Sequence, residues 1–169
     1  MNEPQWNEWL RGHIKEVLEG IGVQENRTVL DFGCGPGAYA IPAARLVGGK
    51  GKVHALDKDG EALAELEGKA RKEGLGNLET ILSSELDTGL KSESVDVVLL
   101  YDVIHLIGER ATLFAEVHRV VKPDGLVSIY PMHVKKKQVL RQMRESDFSL
   151  EAERHGGNIL NFGKEGGQE

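Results

Sequence analysis

Apolar residues recur at steps of three and four from Trp6 through Trp9, Leu10, Ile14, Val17 and Leu18 to Ile21. That spacing places them on one face of a helix, and Gly22 is suited to stop it. Thr28–Phe32 (TVLDF) reads as a short strand, with glycines directly behind it. Ala38–Val47 is rich in Ala, Ile and Leu and predicts a helix, with Pro42 tolerated in its first turn. Lys52–Leu56 (KVHAL) predicts a second strand ending at Asp57. Glu61–Lys72 predicts a helix that turns Ala62, Leu63, Leu66 and Ala70 inward and stops near Gly74 and Gly76. Leu78–Leu82 is a third strand. Val95–Leu100 is almost wholly apolar, as expected of a strand covered on both faces. Ala111–Val121 predicts a helix, Pro123-Asp124-Gly125 a turn, and Leu126–Tyr130 a fifth strand. Val134–Arg144 predicts a basic helix. Phe148–His155 alternates apolar and polar residues, Gly156-Gly157 signals a hairpin, and Ile159–Phe162 is the returning strand. Gly163–Glu169 is expected to fray.

Five strands alternating with helices imply a parallel sheet with helices on both faces. The last hairpin must be antiparallel, because two glycines cannot make a parallel crossover. The expected fold class is therefore α/β, a doubly wound, mostly parallel seven-stranded sheet with a C-terminal antiparallel hairpin. No linker, repeat or low-complexity segment divides the chain. Residues 1–169 are expected to form one domain, with a helical segment at 1–27, a core at 28–147 and the hairpin at 148–164.

The length of 169 residues suits one such domain, which buries roughly 70% of its unfolded surface and needs no staple. Apolar residues make up 40% and charged residues 28%. No stretch approaches the ~20 apolar residues of a membrane span, and the start has no basic region followed by an apolar run. Cys34 is the one cysteine, which excludes an internal disulfide framework and a multi-cysteine zinc site. The net charge of −6 argues against a nucleic-acid partner. No membrane partner and no metal are expected, and cytoplasmic localisation is. Lys135-Lys136-Lys137 could form a phosphate patch, but a solvated helix face is the favoured reading.

The sharpest feature is Asp31-Phe32-Gly33-Cys34-Gly35-Pro36-Gly37-Ala38, between the first strand and the next helix. Glycines let a ligand approach the backbone. The helix start offers free N–H groups. Ligands of open parallel sheets sit at the carboxyl ends of the strands. Gly33, Gly35 and Ala38 also fit the dinucleotide pattern G-x-G-x-x-G/A, a weak signal alone. Asp31 counts against a pyrophosphate, which it would repel by roughly 1–4 kcal/mol at 4 Å. A cationic ligand would gain from it.

At this point the chain resembles the class I S-adenosylmethionine-dependent methyltransferases. Val29-Leu30-Asp31-Phe32-Gly33-Cys34-Gly35-Pro36-Gly37 is similar to their first motif, and Lys52-Val53-His54-Ala55-Leu56-Asp57 to their second. Ser94-Val95-Asp96-Val97-Val98 resembles their fourth strand, and Glu116 to Gly125 the approach to the fifth. The small-molecule type, including the quinone-biosynthesis and arsenite enzymes, is the most similar in appearance. The resemblance implies a Rossmann-like fold and S-adenosyl-L-methionine as cofactor. Gly33, Gly35 and Gly37 would carry backbone against its methionine part, Asp31 would attract its ammonium, and Cys34 would line its pocket. Asp57 would accept from both ribose hydroxyls, with Lys58 beside it; a helix cap is the alternative role for Asp57. The family often carries an acid after the third strand for the adenine. Ser84 stands at that position here, with Glu85 next to it. Tyr101 would face the methionine side.

Methyl transfer from a sulfonium needs orientation more than acid–base chemistry. A base helps only where the acceptor loses a proton. His105 is the candidate for that role, and a packed or capping histidine is the favoured alternative. No catalytic residue is assigned. The expected function is methyl transfer to a small-molecule acceptor. A non-catalytic, cofactor-binding or regulatory protein of the same fold and an NAD-dependent oxidoreductase are the other readings. Trp6 and Trp9 would either cover the acceptor pocket or pack in the core.

Overall fold

The computed structural model describes residues 1–166. Helix α1 (Glu3–Gly20) starts at a capping box, in which Asn2 and Gln5 exchange side-chain and backbone hydrogen bonds. It kinks at His13, whose φ is −129°. Strand β1 (Thr28–Phe32) is followed by α2 (Ala40–Val47), β2 (Lys52–Asp57), α3 (Gly60–Lys72), β3 (Leu78–Leu82) and β4 (Val95–Tyr101). Then come α4 (Arg110–Val120), β5 (Val121–Tyr130), α5 (Lys136–Glu145), β6 (Phe148–Arg154) and β7 (Ile159–Lys164). Short 3-10 turns occupy Ile104–Leu106 and His155–Gly157.

The seven strands form one sheet in the order β3-β2-β1-β4-β5-β7-β6. β1 to β5 are parallel; β7 inserts between β5 and β6 and runs antiparallel to both. The strand order reverses direction between β1 and β4, the switch point where open α/β sheets bind ligands. β4 is buried throughout and shows why. Val97, Leu99 and Tyr101 join the core beneath α1, α2 and α3. Val98 and Leu100 join the opposite core with Leu113 and Phe114 of α4 and Val139 and Met143 of α5. The expected doubly wound sheet with its antiparallel hairpin is the one observed.

Several boundaries differ from expectation. α2 begins at Ala40, two residues late, because Cys34–Tyr39 is spent on the glycine loop and its turn. Pro42 then falls in the first turn as expected. α4 ends one residue early, and Val121 already pairs with Val95. Pro123-Asp124-Gly125 does not precede the fifth strand. It lies inside β5 as a bulge, since the pairing jumps from Val95↔Val121 to Val97↔Leu126. Asp96, opposite the bulge, holds it through Lys122 (2.9 Å) and ties β1 through the Thr28 N–H (2.8 Å) and Arg27 (3.3 Å). α5 starts at Lys136 rather than Val134. Gly163 and Lys164 are not frayed; they pair with Ser149 and Phe148. The last part of the expected frayed end, 167–169, lies outside the described residues. No helix among the described residues is long and apolar enough to cross a membrane.

Candidate functional site

The glycine loop is clamped to the end of β2. The N–H groups of Gly33 (2.8 Å) and Cys34 (3.0 Å) both donate to the Leu56 carbonyl. The Gly35 N–H donates to Asp57 Oδ2 at 2.8 Å. The glycines divide the work. Gly33 (φ +76°) and Gly37 (φ +98°) sit in the left-handed region, and a Cβ on either would run into Val103 or Leu66. Gly35 (φ +52°) has nothing within 4 Å of where its Cβ would be. Two of the three thus let the loop fold against protein, and the third leaves its outer face open.

Asp31 lies mid-sheet between Ala55 of β2 and Leu99 of β4. It is only 1% exposed, and its Oδ2 is buried without a hydrogen-bond partner. Burial, reinforced by the Asp57 charge, pushes its carboxyl up to about 7 despite a bond from the Ala40 N–H. Burial also raises the Cys34 thiol, with Asp31 and Asp57 adding to the effect. Burial thus favours the thiol form of Cys34 over the thiolate that a nucleophile needs.

Asp57 accepts from the Gly35 N–H on one oxygen and from the Asp59 N–H (3.0 Å) on the other. It does not cap α3. That task falls to Asp59, which accepts from the Glu61 and Ala62 N–H groups. Each Asp57 oxygen keeps a lone pair, and the residue lines a cleft of about 340 Å³. Gly33, Lys58, Ser84 and Glu85 line the same cleft; Asp31, Cys34, Gly35, Gly37 and Tyr101 do not. Of these five, Asp31, Cys34, Gly37 and Tyr101 are buried, and Gly35 is partly exposed. Tyr101 donates to Ser128 Oγ (2.8 Å), because the single Ser128 hydroxyl proton goes to Asn161 Oδ1 (2.8 Å). Its ring meets Tyr39 edge to face at 5.0 Å.

Sequence reasoning missed Leu106, Ile107 and Glu109, which with Asp102 form the far wall of the cleft after β4. Leu106 is 70% exposed, and an apolar residue outside any periodic run was the available signal. Beyond this wall, at the ends of β4 and β5, two histidine rings meet edge to face at 5.0 Å: His105 and His133. α1 closes over that end. Asn7 accepts from the Tyr130 hydroxyl, Glu3 lies 3.6 Å from His133, and Trp6 stacks on Trp9 at 5.0 Å. Of the two roles weighed for the tryptophans, Trp6 shows core packing: it is fully buried and meets Tyr130 edge to face.

A family profile described as a methyltransferase domain matches residues 24–166. The chain belongs to the class I S-adenosylmethionine-dependent methyltransferases. A demethylmenaquinone methyltransferase of Geobacillus kaustophilus is 32% identical over 119 residues, 69% of this chain and 51% of that protein. A nocamycin O-methyltransferase of Saccharothrix syringae is 28% identical over 122 residues, 72% and 44% of the two chains. This methyltransferase chain thus spans about half the length of the curated relatives it matches. Among solved structures, an S-adenosylmethionine-dependent methyltransferase from Aquifex aeolicus superposes with a TM-score of 0.77. It is 24% identical, with 96% of this chain and 97% of that one covered, and it shares the fold.

Proposed function

We propose that this methyltransferase holds S-adenosylmethionine at the carboxyl ends of β1 to β4 and transfers its methyl group to a small-molecule acceptor. One observation carries the reading: the unpartnered, buried Oδ2 of Asp31 behind the glycine loop. A buried carboxylate without a partner is costly unless a cation meets it, and the cofactor's ammonium is such a cation. The cofactor supplies a methyl group already activated by a positive sulfur. The chain's residues do the rest by binding and orienting. Asp57 accepts from the two ribose hydroxyls with the lone pairs that Gly35 and Asp59 leave free. Ser84 and Glu85 face the adenine end, with Lys58 at the rim. The open face of Gly35 lies against the methionine portion, and Tyr101 is fixed near Asp31 by Ser128 and Asn161. Cys34 contributes bulk and backbone rather than chemistry.

The acidic net charge favours a small acceptor over nucleic acid, and the lone reduced cysteine fits the cytoplasm. Residues 1–166 act as one unit, with α1 packed on the sheet that carries the site. The test is calorimetric and thermal titration with S-adenosylhomocysteine. Ligand at 100 times its dissociation constant should stabilise the fold by about 2.7 kcal/mol. Absence of any shift at millimolar ligand would overturn the reading.

A further inference from the structure

Five polar or charged residues are buried among the described residues: Asp31, Thr88, Asp96, Ser128 and Asn161. Thr88 anchors the segment after β3 to Glu116, and Asp96 ties the β5 bulge. The other three share one row across the sheet. Asp31 of β1 pairs with Leu99 of β4, Leu99 with Ser128 of β5, and Ser128 with Asn161 of β7. Ser128 and Asn161 interrupt buried apolar runs, Val127 to Ile129 and Leu160 to Phe162. Buried polar groups in such places call for a reason.

Tyr101 follows Leu99 by two residues and so stands on the same face of β4. β4 runs between β1 and β5, which puts Asp31 on one side of it and Ser128 on the other. The Tyr101 hydroxyl is engaged with Ser128 Oγ (2.8 Å), whose own proton goes to Asn161 Oδ1 (2.8 Å). Burial pushes the Tyr101 hydroxyl up, against the effect of the Ser128 bond, and the Asp31 charge adds to the rise. The hydroxyl is therefore a protonated donor within the field of Asp31. A charged acceptor makes a hydrogen bond roughly twice as strong as a neutral one, yet Asp31 Oδ2 has no partner.

We propose that Ser128 and Asn161 are positioning residues for the cofactor: by holding the Tyr101 hydroxyl they keep its proton away from Asp31 and leave that carboxylate open to the ligand's ammonium. That role rests on the S-adenosylmethionine reading above. A phenol bonded to Asp31 would occupy the lone pair that the ammonium needs, and the ligand would have to displace it. Asn161 sets the direction of the chain. Its Oδ1 takes the Ser128 proton, so Ser128 offers Tyr101 only lone pairs. The edge-to-face contact with Tyr39 (5.0 Å) holds the Tyr101 ring from the other side. The C-terminal hairpin brings no residue to the cleft, and through Asn161 it reaches the site across β5. The titratable groups facing Asp31 are Asp57 at the end of β2, Cys34 in the glycine loop, Tyr39 ahead of α2 and Tyr101 itself.

The test compares the parent with Ser128→Ala, Tyr101→Phe and the double variant. Carboxyl-carbon NMR of the free proteins follows the Asp31 titration. Ser128→Ala should lower it by about one pH unit, since a hydrogen bond donated to a carboxylate favours the charged form. Adding Tyr101→Phe should return it to the value in Tyr101→Phe alone. S-adenosylhomocysteine binding at pH 8, read by calorimetry, should weaken about tenfold in Ser128→Ala, the scale of one hydrogen bond to a charged group. The double variant should bind as Tyr101→Phe does, because phenylalanine has no proton to offer Asp31. A mere packing defect would be deepened by the second substitution, not cured. Where Ser128→Ala does not fold, Asn161→Ala gives the same comparison, since Ser128 then turns its proton to Tyr101 and releases the phenol proton. An Asp31 titration that does not move, or a double variant that binds more weakly than Tyr101→Phe, in a parent that binds S-adenosylhomocysteine, would overturn this role alone. A parent that binds no S-adenosylhomocysteine would overturn the S-adenosylmethionine reading and this role with it.

Discussion

Replacing Asp31 with Asn should stabilise the free protein at alkaline pH while weakening its affinity for S-adenosylmethionine. The carboxyl of Asp31 titrates near 7 instead of its ordinary 3.8 because it is buried beside Asp57. The folded value lies above the unfolded one. Its contribution is therefore fully present below pH 3.8 and is lost as pH rises through about 7. At 1.36 kcal/mol per pH unit, an ionised Asp31 at pH 8 costs about 4 kcal/mol in the absence of a cation. Asn removes the charge but leaves a buried amide short of partners, a cost of roughly 1–3 kcal/mol. The variant should gain about 2 kcal/mol at pH 8, a rise of several degrees in melting temperature for a chain of this size, at 2–4 °C per kcal/mol. At pH 4 the gain should vanish or reverse.

Ligand binding should show the same linkage from the other side. A cationic ligand needs Asp31 ionised, so binding to the parent at pH 6 should release close to one proton, and at pH 8.5 almost none. Calorimetry in buffers of different ionisation enthalpy measures this directly. Below pH 7 the parent's affinity should rise up to about tenfold per pH unit, and the Asn variant's should not. A melting-temperature difference that fails to grow between pH 5 and pH 8, or proton release unchanged by Asp31→Asn, would refute the reasoning.

The alternation of elements was legible because the apolar runs of β1, β2 and β4 end in glycine or acid. The doubly wound order followed from connection rules, and β7 pairing with β5 came as part of the hairpin. The β5 bulge was not legible. Pro123-Asp124-Gly125 carries turn composition, and only the structure shows that pairing already begins at Val121 and resumes at Leu126, with Asp96 bonded to Lys122 across the bulge. The first half of the site was legible in Asp31, the three glycines and Asp57, where residue type and chemistry coincide. Loop geometry concealed the rest. Nothing in the letters of Asp102 or His133 announces a positive φ, and the meeting of His105 with His133 depends on β4 and β5 ending side by side. The same geometry parts the three glycines, which look equivalent in sequence, into two packed against Val103 and Leu66 and one left open.

Asp57→Ala should weaken S-adenosylhomocysteine binding by ~1–3 kcal/mol, read by calorimetry, since two hydroxyls and the Gly35 N–H lose a partner. Gly37→Ala should destabilise by about 2–4 kcal/mol in urea melts, from the left-handed backbone and the contact with Leu66 and Ile41 (3.3 Å). Acid should act through Glu116, with a sign opposite to that of Asp31. Burial alone would raise its carboxyl, but bonds from Arg119 and from the Thr88 N–H and hydroxyl outweigh it and hold it down to about 2. The folded value lies below the ordinary 4.5, so this stability is present above pH 4.5 and is lost as pH falls through about 2. The gap corresponds to about 3 kcal/mol. Glu116→Gln should flatten the fall in stability over that window, measured by denaturant melts at pH 2 to 5, and lower stability at pH 7. Because Thr88 anchors the segment whose earlier residues, Ser83 to Leu86, line the cleft, the same variant should weaken S-adenosylhomocysteine binding severalfold at neutral pH. A variant that loses stability at pH 7 yet binds as tightly as the parent would mean that the segment is held from the cleft side and not by α4.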